Sequence, residues 1–218
     1  MKTIMRKFLA ALLFAPAALL AAAGGHPLDQ APIEPRDLVS LQAGARTFVN
    51  YCMNCHGAQY MRYNRLTDLG LTEAQIRDNL MFSAEKIGET MKVAMSAKDG
   101  KAWFGVPPPD LSVIARSRGA DWLYTYLRTF YRDEKSANGW NNKAFANVAM
   151  PHVLWKLQAE QSTVQYDTTV RDLVNFLVYV GEPSAQSRKS IGIVVLFVLV
   201  VLFIFAYAMK KAFWKDVR

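Results

Sequence analysis

The chain has 218 residues, of which 52% are hydrophobic and 20% charged, with two cysteines, three histidines and a formal charge of +8. That is too apolar for a disordered chain and gives room for one domain with appendages. The charge sits at the ends: residues 1–23 carry +3, residues 24–185 balance 17 basic against 17 acidic side chains, and residues 186–218 carry +5. A neutral body argues against nucleic acid as a partner.

Residues 1–23 read as a secretory signal: Lys2, Arg6 and Lys7, then apolar Phe8 to Leu20, then small residues with a cut after Ala22 or Ala23. Residues 24–185 form the exported body. Gly24 to Pro35 is an extended lead-in. From Arg36 to Tyr51 apolar residues recur at helical spacing, and this helix runs into Cys52. Thr72 to Gln75 is a capping box that opens a helix through about Leu80, and Ser83 to Met95 is expected to form a third helix. The run "GKAWFGVPPPDLS" (residues 100–112) is expected to be irregular, because Pro107, Pro108 and Pro109 break both helix and strand. Asp121 to Arg132 is an aromatic helix, and residues 136–155 form a long loop. Asp167 is expected to cap a helix through Val180, stopped by Gly181 and Pro183. No segment alternates as a strand. The fold class is therefore mostly α with long loops, and such loops need more than a hydrocarbon core to pack on. Last come residues 186–218: Ile191 to Met209 is 19 residues without a charge, about 28 Å of helix, enough to span a bilayer. Lys210, Lys211, Lys215 and Arg218 follow it and direct the C-terminus to the cytoplasm.

Both cysteines fall in "CMNCH", Cys52 to His56. Zinc would need four ligands, and only His26 and His152 remain to complete Cys52, Cys55 and His56. A C-x-x-C redox pair belongs with a βαβ pattern that is missing. A c-type haem fits the spacing: the two sulfurs make thioether bonds and the adjacent His56 coordinates iron. An exported chain with no other cysteine agrees with it. For the second axial position, Met53 and Met61 lie too near His56 in sequence to reach the opposite face. Met81, Met91 and Met95 sit in helix-like stretches that favour core packing. Met150, on the long loop before Pro151, is the expected ligand, with His152 or an open position as alternatives. Arg116 and Arg118 are candidates for the haem propionates, since guanidinium pairs with carboxylate bidentately; a solvated basic pair is the alternative. Trp103, Phe104 and the three prolines either wall the haem edge or pack as ordinary core.

The segments "NYCMNCHGAQYMRYNRL", "PPDLSVIARSR", "NVAMPHVLW" and the C-terminal anchor "IGIVVLFVLVVLFIFAYAMKKAFWKD" together resemble the cytochrome c1 family, the haem subunits of the cytochrome bc1 complex, over nearly the whole exported chain. The resemblance implies a c-type cytochrome fold in which the helix ending at Cys52 crosses the helix Asp167–Val180. It implies one covalent haem c on Cys52 and Cys55, iron ligands His56 and Met150, and a propionate-binding arginine, foremost Arg118. Trp122 stands where many members carry tyrosine, so an aromatic but not a hydroxyl role is implied there. The implied partners are cytochrome b, the Rieske iron–sulfur protein as electron donor and a cytochrome c as acceptor, in a dimeric complex of the bacterial inner membrane with the haem domain in the periplasm. A membrane-tethered cytochrome c serving a terminal oxidase or dehydrogenase is the alternative. A haem enzyme such as a peroxidase would require an open iron site instead of Met150.

Overall fold

The computed structural model describes residues 26–93 and 95–216; the expected signal, residues 1–23, lies outside them. Two long helices cross at the centre of the body. The first, α1 (Leu38–Thr47), starts where the Asp37 carboxylate accepts from the amides of Val39 and Ser40 at 3.0 and 3.1 Å. It widens into a π-turn over Phe48–Cys52, so it does run into Cys52. The second, α7 (Thr163–Gly181), begins at Ser162, whose hydroxyl and the Gln165 side chain close a reciprocal capping box. Asp167 is thus not the cap: the helix starts a turn earlier, and Asp167 instead pairs with Arg128, Nε to Oδ1, at 2.6 Å.

Gly44 permits the crossing, because a β-carbon there would overlap the Asp172 carbonyl oxygen and lie 2.7 Å from Cβ of Phe176. Around this contact Leu41 and Ala45 of α1, Phe48 of the π-turn and Val170, Leu173, Phe176 and Leu177 of α7 are buried, with Phe48 and Phe176 ring centroids 5.6 Å apart. A polar seam crosses it, Ser40 donating to Asp172 at 2.7 Å and Asn175 to Ser40 at 3.0 Å. The lead-in is docked rather than loose: the amides of Asp29 and Ala31 donate to Thr125 Oγ1 and Asp121 Oδ1, each at 2.8 Å.

Shorter elements surround this pair: α2 (Glu73–Asn79), α3 (Ala97–Phe104), α4 (Ile114–Arg118), α5 (Ala120–Arg128) and α6 (Trp155–Glu160). Among the described residues four short strands make two antiparallel ribbons, β1 (Ala58–Arg62) with β2 (Thr90–Met91), and β3 (Phe130–Arg132) with β4 (Trp140–Asn142). They correct the expectation of a strand-free body. Of the segment expected as a third helix, the described residues 83–93 are not helical. The Glu89 carboxylate folds back onto the amides of Glu85 and Lys86, and Met91 is buried opposite Ala58; local turn bonds and long-range pairing outweigh helical periodicity. The aromatic helix likewise ends at Arg128, because Phe130–Arg132 pairs with β4 across a turn containing Gly139 at φ 74°. Conversely, residues 100–104 are helical: Ser96 caps α3, Gly105 at φ 79° ends it, and the prolines act only beyond that point.

After Gly181 the chain enters α8 (Ala185–Phe213), of which Ser187–Phe213 is long and apolar enough to cross a membrane. None of its apolar run is buried, and Phe197 and Phe203 are 70% and 68% exposed. A core helix would be covered by its own chain; this one leaves its whole apolar surface to a bilayer or to neighbouring spans.

Candidate cofactor site

The π-turn that ends α1 folds the cluster into one tight unit. Its amides turn inward, Cys55 N–H and His56 N–H both donating to the Cys52 carbonyl at 3.1 and 2.8 Å. Both thiols are free; Cys52 is buried and Cys55 half-buried. Burial, with Cys55 alongside, pushes the Cys52 thiol up to about 12, and burial also raises Cys55. Neither thiol is held as the free thiolate that disulfide exchange requires. Among the described residues no three His, Cys, Asp or Glu side chains converge on a common metal position. His26 is exposed, and His152 is buried, its Nε2 2.6 Å from Gln158 Oε1 and its ring stacked 4.8 Å from Phe130. Neither the zinc site nor His152 as an iron ligand finds support in that arrangement.

His56 Nδ1 lies 2.6 Å from the Pro109 carbonyl oxygen. A carbonyl only accepts, so Nδ1 carries the proton and Nε2 keeps its lone pair for a metal. Burial lowers the ring's pKa, against the pull of the Pro109 carbonyl and the Asp110 carboxylate, so the imidazole is neutral as a ligand must be. The prolines therefore orient the ring. They are held there because Leu111 N–H donates to the Gly57 carbonyl at 2.8 Å, while Asp110 accepts from Gln59 N–H and Ser112 N–H, each at 2.9 Å. Gly57 allows this approach, since a β-carbon would lie 3.1 Å from Asp110 Oδ2.

A second group surrounds Met150. Its half-buried thioether accepts a hydrogen bond from the Tyr126 hydroxyl at 3.4 Å. Trp122 stacks on Tyr126 with centroids 4.8 Å apart, and the Arg118 guanidinium lies 5.1 Å from the Trp122 ring and 6.0 Å from Phe145. Trp122 thus keeps the aromatic place expected of it. Asn138 Nδ2 donates to the Ala149 carbonyl at 2.8 Å and fixes the backbone just before Met150. Arg116, two residues from Arg118 on α4, is already engaged with Glu182 at 2.7 Å. Residues 109–118 join the two groups, running from the carbonyl on His56 to the arginine on Trp122. Beside them lies a cavity of about 610 Å³ between Trp103 and Phe104 on one wall and Asn138, Val148 and Ala149 on the other. None of Cys52, Cys55, His56 and Met150 lines it; it adjoins Met150 through Ala149.

The donor set suits a covalently attached haem. It offers two neutral thiols one turn apart, an imidazole with one nitrogen committed to a carbonyl, and a thioether sulfur with a lone pair to spare. Asp110, Asn138 and Tyr126 are contributors that sequence reasoning misses, as is the bond from His56 to the Pro109 carbonyl. Asp110 has a visible signal, since Asp two residues before an amide-bearing Ser is an Asx-turn pattern. Asn138 and Tyr126 act across separations that no local pattern reveals.

The Cytochrome C1 family matches residues 29–217. Two relatives cover 98% of the chain: one of Nitrosomonas europaea named ammonia monooxygenase gamma subunit, 48% identical over 99% of its own length, and the cytochrome c1 of Allochromatium vinosum, 47% identical over all of its length. The cytochrome c1 of Rhodospirillum rubrum is 28% identical over 84% of the chain and 83% of its own length. With a family match that takes in both ligand groups and the anchor, the chain belongs to the cytochrome c1 family, whose members bind one covalent haem c.

Proposed function

We propose that the protein is the haem-bearing electron-transfer subunit of a cytochrome bc1 complex, taking one electron from the Rieske iron–sulfur protein and passing it to a cytochrome c during quinol oxidation. The observation that carries this is the pair of prepared axial donors: His56 with Nδ1 bonded to Pro109, and Met150 held by Asn138 and Tyr126. With His56 and Met150 both on the iron, a bound haem would have no open position for substrate, and the chain's task would be to carry electrons. The haem, when bound, supplies the one-electron redox centre. The chain's residues would hold it: Cys52 and Cys55 by thioethers, His56 and Met150 as ligands, and Arg118 on α4 at a propionate, since Arg116 is engaged by Glu182.

Residues 24–185 form the periplasmic haem domain and residues 186–218 the anchor and cytoplasmic tail, oriented by Lys210, Lys211 and Lys215. The family's companions, cytochrome b and the Rieske protein, then lie beside the span in a dimeric complex. Extraction in mild detergent is expected to yield this chain with a di-haem cytochrome b and an iron–sulfur protein. Co-purification with an oxidase, a dehydrogenase or the subunits of an oxygenase would move it to another assembly.

A further inference from the structure

We propose that Tyr126 positions and tunes the sulfur ligand: its hydroxyl donates to Met150 Sδ and raises the reduction potential of the iron that this sulfur binds. This rests on Met150 being an axial ligand. The contact spans 3.4 Å, and both of its ends are fixed. The Tyr126 ring is clamped by Trp122, stacked at 4.8 Å and 11°, and by Phe130, edge-on at 5.1 Å and 69°. Its own carbonyl accepts from Asn142 Nδ2 at 2.7 Å, which ties α5 to β4. On the other side Asn138 holds the Ala149 carbonyl, and Pro151 stiffens the backbone on the C-terminal side of Met150. The hydroxyl therefore has one destination among the described residues, and the sulfur is brought to it.

Packing alone does not account for a tyrosine here. Phenylalanine would fill the same aromatic stack, and a buried hydroxyl has to be satisfied to avoid a desolvation cost. A thioether is a weak acceptor, so the pair adds little to stability and its value lies in what the sulfur does. A methionine sulfur has two lone pairs, one for iron and one for a donor. Drawing electron density into the second weakens donation through the first. The oxidised iron, being more electron-poor, loses more by this than the reduced iron does. The hydrogen bond consequently favours the reduced state and also loosens sulfur from the oxidised iron.

The test is Tyr126→Phe in the full-length haem protein in detergent, with two measurements. In redox titration the variant should have a lower midpoint potential than the parent, with the sulfur-to-iron charge-transfer band of the oxidised form retained. In the oxidised state it should also bind added imidazole more weakly than the parent, because the iron–sulfur bond it must displace is stronger. If the band is present in both proteins but neither the potential nor imidazole affinity changes, Tyr126 is only a packing residue. A potential that rises would overturn the sign. If the parent itself lacks the band, Met150 is not the ligand, and the functional reading fails before that of Tyr126.

Discussion

His56 and Met150 are prepared in different ways, and the difference governs what each substitution does. The imidazole is oriented by a main-chain carbonyl, which no side-chain change removes, whereas Met150 owes its place to side chains of Asn138 and Tyr126. Met150→Leu should leave the haem attached through Cys52 and Cys55 but lower the potential and admit carbon monoxide to the reduced iron, visible as a shifted absorption band. The same result from Met91→Leu would displace Met150, yet Met91 is fully buried in β2. Cys52→Ala with Cys55→Ala should abolish the haem-stained band on a denaturing gel. At this scale the sequence was informative where contacts are local: "CMNCH" is five consecutive residues, and the structure folds them into one turn. The two arginines could not be separated that way, because what distinguishes them is Glu182, 66 positions beyond Arg116.

The crossing of α1 over α7 turns on a single missing side chain. Gly44→Ala drives a β-carbon into the main chain at Asp172, so backbone has to move, and overpacking of this kind costs about 1–3 kcal/mol. Thermal unfolding of the variant, followed through the haem absorption, should occur at a lower temperature, with the spectrum of the folded state unchanged. Arg128 joins three segments by reaching both Asp167 oxygens, at 2.6 and 3.0 Å, and Asp29 at 2.7 Å, with its guanidinium 4.5 Å from the Tyr124 ring. The two crossing helices were legible because apolar residues recur at helical spacing along each of them. The ribbons were not, since strands of two to five residues leave no alternation to detect and take their register from partners elsewhere in the chain. The helix at residues 97–104 was hidden by the weight given to prolines that begin three residues after its end.

For the molecule in its membrane, the anchor is more than a leash. Glu182 pairs with Arg116 of the haem-domain helix α4 at 2.7 Å and with Arg188 at the start of α8 at 2.6 Å, so the same carboxylate bridges domain and span. The apolar span was readable early because an uncharged run of this length is a property of composition rather than of fold. Alkaline phosphatase fused after Gly181 should be active and one fused after Arg218 inactive; activity of the second fusion would reverse the orientation. Truncation at about Arg188 should leave a haem protein that exchanges electrons in solution but does not restore quinol-dependent cytochrome c reduction in membranes.

The burial of Cys52 has a consequence for the order of biosynthesis. In the folded chain Cys52 is 8% exposed, at the end of the π-turn that closes α1. A thioether at that position is expected to form faster on a chain whose Phe48–Cys52 turn is still open than on one already folded, and a comparison of the rates of haem attachment to refolding and to folded apoprotein checks this.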